Sequence, residues 1–269
     1  SITVGQNDAI GVYAVNQTGT VTNNSAVSVG DGSYGFVFTG TTAPSFVNNQ
    51  PAVIGNNSIF VFSDSALSAD NSGILTMTGS DNIGYYLKNG GSFTNNMDII
   101  GNSGVSNIGV YAKGANIINN ADIILGDSNL VEHTDAGGVK YKTGYSVGIY
   151  GEDSNITNNA GNTIQVGKEG IGIYVKNNNA NKPDALITLN GSSNIDMTGS
   201  KSGVGIFADK ALINIAAGKI KAGENITGIY AENGTEISTT GGTIDIYEKG
   251  VGIYLAGSSK YNSGTGKFV

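Results

Sequence analysis

Apolar and polar positions along the chain alternate in short bursts that return at a fixed spacing. The clearest burst is Val147-Gly148-Ile149-Tyr150. It recurs as Ile10-Gly11-Val12-Tyr13, Ile83-Gly84-Tyr85-Tyr86, Ile108-Gly109-Val110-Tyr111, Ile171-Gly172-Ile173-Tyr174, Val204-Gly205-Ile206-Phe207, Thr227-Gly228-Ile229-Tyr230 and Val251-Gly252-Ile253-Tyr254. Tyr34-Gly35-Phe36-Val37 is a weaker copy, and in Ser58-Ile59-Phe60-Val61 we read Ile59 as standing for the glycine. Most of these markers lie 23 to 25 residues apart, with two longer gaps of 39 and 33. A period of this length is the signature of a solenoid.

Each period holds three apolar runs. The second often ends in paired asparagines, as in Val21-Thr22-Asn23-Asn24, Phe93-Thr94-Asn95-Asn96 and Ile156-Thr157-Asn158-Asn159. The third alternates and closes on glycine, as in Thr163-Ile164-Gln165-Val166-Gly167. Runs of four or five β-branched and aromatic residues between Gly and Asn clusters predict strands. Helical spacing never persists for two turns, so essentially no helix is expected. Three strands per ~24 residues is the arithmetic of a parallel β-helix with coils ~4.8 Å apart. The expected fold is all-β: one β-solenoid of about ten coils over residues 1–269, with three short strands per coil.

Alternation then assigns faces. Residues before, after and two beyond that (Ile10, Val12, Ala14; Ile171, Ile173, Val175) are expected inside. The glycine and the aromatic are expected to share the outer face, the glycine leaving room for a neighbouring ring. One asparagine of each pair is expected in a coil-to-coil amide ladder, with the pair suited to a left-handed turn. The long gaps predict insertions near 127–145 and 177–185, the first as a loop carrying Glu132, His133 and Lys142, the second containing Pro183. Ser1–Gly5 and Gly266–Val269 both match the third strand of a coil, so the chain is expected to be cut from a longer stack and to continue into further coils.

Composition narrows the function. A formal charge of −7 and a pI near 4.6 argue against nucleic acid, and all 14 basic residues are lysine. Zero cysteine excludes disulfides and thiolate chemistry and fits secretion. No run of about 18 apolar residues and no signal-peptide pattern is present, so direct membrane insertion by this segment is not expected. Asp98 and Asp122 share a register one coil apart, near the separation of a glycosidase pair, but catalysis would need further acids and cations. Glu132, His133 and Asp135 include ligand types that suit divalent ions, without a repeated ligand spacing. No catalytic residue, metal site or cofactor is therefore assigned. Charges four residues after the glycine (Lys88, Lys113, Glu152, Lys176, Asp209, Glu232) are read as register and solubility devices. Candidate partner-binding residues are the outward row Tyr111, Tyr150, Tyr174, Phe207, Tyr230 and Tyr254, together with Glu132, His133 and Lys142 beside it.

Repeated G-I-Y units alternating with I-T-N-N and I-x-V-G units, rich in Asn, Gly and Lys and lacking Cys and Arg, resemble the passenger regions of large fusobacterial autotransporter adhesins. The resemblance spans Ser1 to Val269 and is to a repeat class rather than to one member. It implies a right-handed β-helix displayed at the bacterial cell surface, anchored through an outer-membrane β-barrel absent from this chain. It also implies adhesion to a surface protein or glycan of host cells or other bacteria. It carries over no catalytic residues. The alternatives are a passive spacer and a carbohydrate-active β-helix enzyme, a lyase or glycosidase.

Overall fold

The computed structural model describes residues 1–178, 186–264 and 267–268. Three long parallel sheets wind around a single core, and each strand pairs with its counterpart one coil on. The glycine motifs form a ten-stranded sheet running from Ile10–Val15 to Val251–Leu255. The asparagine runs form a second ten-stranded sheet, from Thr20–Asn23 to Lys260–Ser263. The alternating runs form an eleven-stranded sheet, from Ile2–Val4 to Lys267–Phe268. No helix occurs among the described residues. The protein is thus a parallel β-helix, as the period predicts. Among the described residues, no helix is long and apolar enough to cross a membrane.

In the glycine sheet the face assignment needs correction. Val110, Ile149, Ile173, Ile206 and Ile229 point inward and are fully buried, as expected. The residue before the glycine does not join them. Ile10 and Val251 are exposed, Ile108 and Val204 are half-buried, and the covered Val147 and Ile171 stand outside the core cluster. It is the glycine that faces in. A Cβ on Gly109 would lie 2.6 Å from the carbonyl oxygen of Gly148 and 3.0 Å from Cγ2 of Ile123. The same clash, with the next coil's glycine carbonyl and a γ-methyl of the third sheet, repeats at Gly148, Gly205 and Gly228. At these four coils a Cβ would clash on the inside, so the glycine serves coil-to-coil approach there and does not lie under the outer rings. Two successive inward positions break the alternation and turn the preceding aliphatic residue to the surface.

The weak early copy is also shifted by one. Ile59 pairs with Tyr34 and Ile83, which places Phe60, not Ile59, in the glycine register. The Phe60 ring enters the core between Phe36 and Tyr85, at 5.7 and 5.6 Å and nearly perpendicular to both.

The asparagine ladder forms as expected. Asn23, Asn48, Asn71, Asn95, Asn119 and Asn158 are buried, and the Nδ2 of each of the first five donates to the Oδ1 of the next at 2.7–3.4 Å. The second asparagines make an outer ladder of their own, as from Asn120 to Asn96 and from Asn159 to Asn120, both 2.8 Å. The left-handed backbone positions lie elsewhere, at corners such as Asn57, Asp81, Asp153 and Asn233. The pairs thus act through their amides, not as turn formers.

The first insertion leaves the stack between the third sheet and the glycine sheet. It is an ordered antiparallel hairpin of Val131–Thr134 and Lys140–Thr143, not a loop. Its turn is held by Asp135, whose Oδ1 accepts from the amides of Gly137 and Val139 at 2.8 and 2.9 Å. The amide of Asn129 donates to the carbonyl of Gly144 and closes its base. Of the expected second insertion, 179–185, including Pro183, lies outside the described residues.

Candidate binding groove

The breaking of alternation at glycine builds the site. It leaves two parallel columns on the outer face of the glycine sheet, one aliphatic and one aromatic. The aliphatic column is Ile83, Ile108, Val147, Ile171 and Val204. The aromatic column runs alongside it, and the pairing register places Tyr111, Tyr150, Tyr174, Phe207, Tyr230 and Tyr254 directly above one another. Their ring centroids are 4.5–5.0 Å apart and their planes lie within 20° of parallel. The stripe expected from sequence is present. Toward the N-terminus it continues edge-on through Tyr86 and Phe62, with interplanar angles of 84°.

Between the columns and the hairpin lies a groove of about 1030 Å³. Tyr150, Tyr174, Phe207 and Tyr230 line it, as does Lys142. Tyr111 and Tyr254 belong to the stripe but stand outside the groove. Glu132 and His133, expected beside the stripe, do not line the groove and make contacts within the hairpin. Glu132 pairs with Lys140 at 2.8 Å, while the His133 ring stacks on Tyr141 and its Nε2 lies 2.8 Å from the Thr143 hydroxyl. Sequence reasoning missed Leu130 and Tyr145 at the hairpin base, Glu169 at the corner, and the whole aliphatic column. The signal for that column was the large apolar residue before nearly every glycine, misread as core.

Glu152 fixes the lower end of the stripe. Its carboxylate accepts from the Tyr111 hydroxyl at 3.0 Å, Lys113 Nζ at 2.9 Å and Asn178 Nδ2 at 2.7 Å. Burial pushes this carboxyl up, but the bonds from Lys113 and Tyr111 outweigh it and hold Glu152 below the usual range. Tyr111 is pushed up by burial and then by its bond to Glu152. Tyr174 is raised by burial and by the neighbouring Tyr150 and Asp209. Tyr150 and Tyr230 are also raised, again with burial first. These four phenols are therefore poor acids, suited to packing and hydrogen bonding.

The paired acids Asp98 and Asp122 are spent on the backbone. Asp98 Oδ1 accepts from the amide of Asp122 at 3.1 Å, and Asp122 Oδ1 from that of Thr163 at 2.7 Å. Among the described residues, no three His, Asp or Glu side chains converge where an ion could be held. In the charged column, Lys113 and Glu152 close to an ion pair. Comparison of the chain with protein-family models, with curated proteins and with solved structures finds no match.

Proposed function

We propose that this chain is a segment of a bacterial cell-surface autotransporter adhesin that binds a protein or glycan on host cells or other bacteria through the hairpin-flanked groove. The observation that carries the reading is the groove itself. It is an open concavity floored by an aliphatic and an aromatic column and flanked by the hairpin. Contiguous apolar surface rimmed by polar groups is where partners dock, and aromatic residues supply large rigid contact area at low entropic cost. The resemblance of the repeats to adhesin passengers supports the same reading.

The test is adhesion of the purified segment to host cells and to partner bacteria. Tyr150→Ser together with Tyr174→Ser should abolish most of the adhesion while leaving the β-rich circular dichroism spectrum intact. A folded double variant that adheres as well as the parent would leave the passive spacer as the better reading.

A further inference from the structure

We infer that the groove receives an amphipathic α-helix of a protein partner, its apolar stripe on the two columns and basic residues along the acidic corner. This rests on the reading of the groove as a binding surface and narrows it to one ligand chemistry.

The first ground is the orientation of the rings. A sugar stacks on an aromatic face. The four rings in the groove, Tyr150, Tyr174, Phe207 and Tyr230, each have a parallel ring on both sides, at 4.5–5.0 Å. Both faces of every one are taken, and only ring edges and hydroxyls reach the groove. Beside them stand the half-buried Ile108 and Val204 and the covered Val147 and Ile171. Such a floor packs aliphatic side chains and offers a pyranose nothing to stack upon.

The second ground is spacing. The groove crosses the strands, so its knobs and hollows repeat once per coil, at the 4.5–5.0 Å of the rings. A helix lying along it repeats every ~5.4 Å. An extended strand presents same-side residues every ~6.6 Å. Against a coil of ~4.8 Å the helix drifts by about 0.6 Å per step and the strand by about 1.8 Å. At the next two coils the helix is out by about 0.6 and 1.2 Å, so that each turn still meets its own coil, whereas the strand is out by about 1.8 Å at the first and by the second has slipped nearer the following coil. Helix-in-groove recognition reads anchors at i, i+4 and i+7, which this period matches.

The third ground is charge. Asp81 and Glu169 border the groove at the corner from which the strands enter, Lys142 stands on the hairpin, and the chain carries −7 overall. A helix whose apolar stripe is flanked by lysine or arginine is therefore favoured over an acidic one.

The probe is a fluorescent peptide of about 20 residues with leucines at helical spacing and lysines elsewhere. It is compared by polarisation with the same composition in strict alternation, and with a version bearing glutamate for lysine. The helical Leu/Lys peptide should bind saturably and at least tenfold more tightly than either. Ile108→Asn and Val204→Asn should each weaken it tenfold or more. Should either variant fail to fold, Leu130→Ser on the hairpin, away from the stack, should still weaken it several-fold. Equal binding of the alternating peptide, unchanged binding by the folded variants, or displacement of the helix by cellohexaose would overturn the inference. In a cell-adhesion assay, block by the helical peptide supports it. Adhesion blocked by an oligosaccharide and not by the peptide would overturn the helix and spare the adhesin reading. A segment that binds the peptide through the groove yet adheres to no cell would do the reverse.

Discussion

The two ends of this solenoid solve one packing problem in opposite ways. In the coils around residues 36–93 the rings are inside: Phe36, Phe46, Phe60, Tyr85 and Phe93 interlock at tilted and perpendicular angles, with centroids 4.5–6.4 Å apart. The outer column there is mixed, with Val37, Phe62 and Tyr86 in successive coils. In the coils from 147 to 254 the interior is aliphatic, with an isoleucine column of Ile149, Ile173, Ile206 and Ile229, and the rings are outside in a nearly parallel stack. The asparagine ladder belongs to the first arrangement. It ends where Asn158 meets Leu189, and Ile215 follows. A coil of fixed width holds either rings or repeated aliphatics. From Tyr111 to Tyr254 the rings that repeat in register stack nearly in parallel, and that repetition makes a continuous stripe. A core of differing rings locks the neighbouring coils by shape, and a column of differing size makes no stripe outside.

The largest effect should come from charging the aliphatic core. Ile173 is fully buried in a column between Ile149 and Ile206, so Ile173→Asp strands a charge and should cost several kcal/mol. Coils in a solenoid depend on their neighbours, so hydrogen exchange should report opening of the adjoining coils first. In the aromatic region Phe60→Ala should cost ~3–5 kcal/mol through its cavity. An unchanged melting temperature for both would break the comparison at its base.

A smaller contrast is expected within the ladder. Asn119→Leu strands both Asn95 Nδ2 and Asn158 Oδ1, which at ~1–3 kcal/mol per orphaned group should lower stability clearly. Asn158 Nδ2 already lacks a partner in the buried interior. Asn158→Leu moves the end of the ladder down one coil without lengthening the list of orphans, and it matches Leu189 above. Its effect should stay within about 1 kcal/mol. Equal losses from the two substitutions, in denaturant melts, would show that the ladder is not the unit of stabilisation.

The smallest effects are ionic. Tyr111, Tyr150, Tyr174 and Tyr230 on the outside, and the fully buried Tyr85 inside, all have raised pKa values, with burial as the first cause. The folded chain keeps these protons where the unfolded chain loses them. Their contribution to stability is therefore intact below the ordinary tyrosine value of ~10 and is lost as pH rises through the raised ones. Tyrosinate absorbance should show a late-ionising set, reduced by Tyr174→Phe, with Tyr85 ionising only on unfolding. Glu152 has the opposite sign. Its lowered value gives stability that is present above the ordinary glutamate range and lost as pH falls through it. Glu152→Gln should flatten the acid limb of the melting curve.

The sequence alone determined the period, the three strands, the site of the hairpin, the inward Ile149 and Ile173, the amide ladder and the register of the aromatic stripe. All of these follow from side-chain chemistry repeated at a fixed spacing, which a linear chain displays in full. The tertiary structure decided which way the glycine column faces, because the constraint on Gly109 is the carbonyl of Gly148, 39 residues away. Strand alternation assumes that each residue changes sides, but at this point in the coil two successive positions face inward, whether glycine and Val110 or Phe60 and Val61 fill them. From that one break follow the outward aliphatic column and hence the groove. The hairpin likewise needed tertiary structure. Its strands of four residues each, Val131–Thr134 and Lys140–Thr143, are too short and too polar to declare themselves, and they exist through pairing to each other and closure at Asn129 and Gly144.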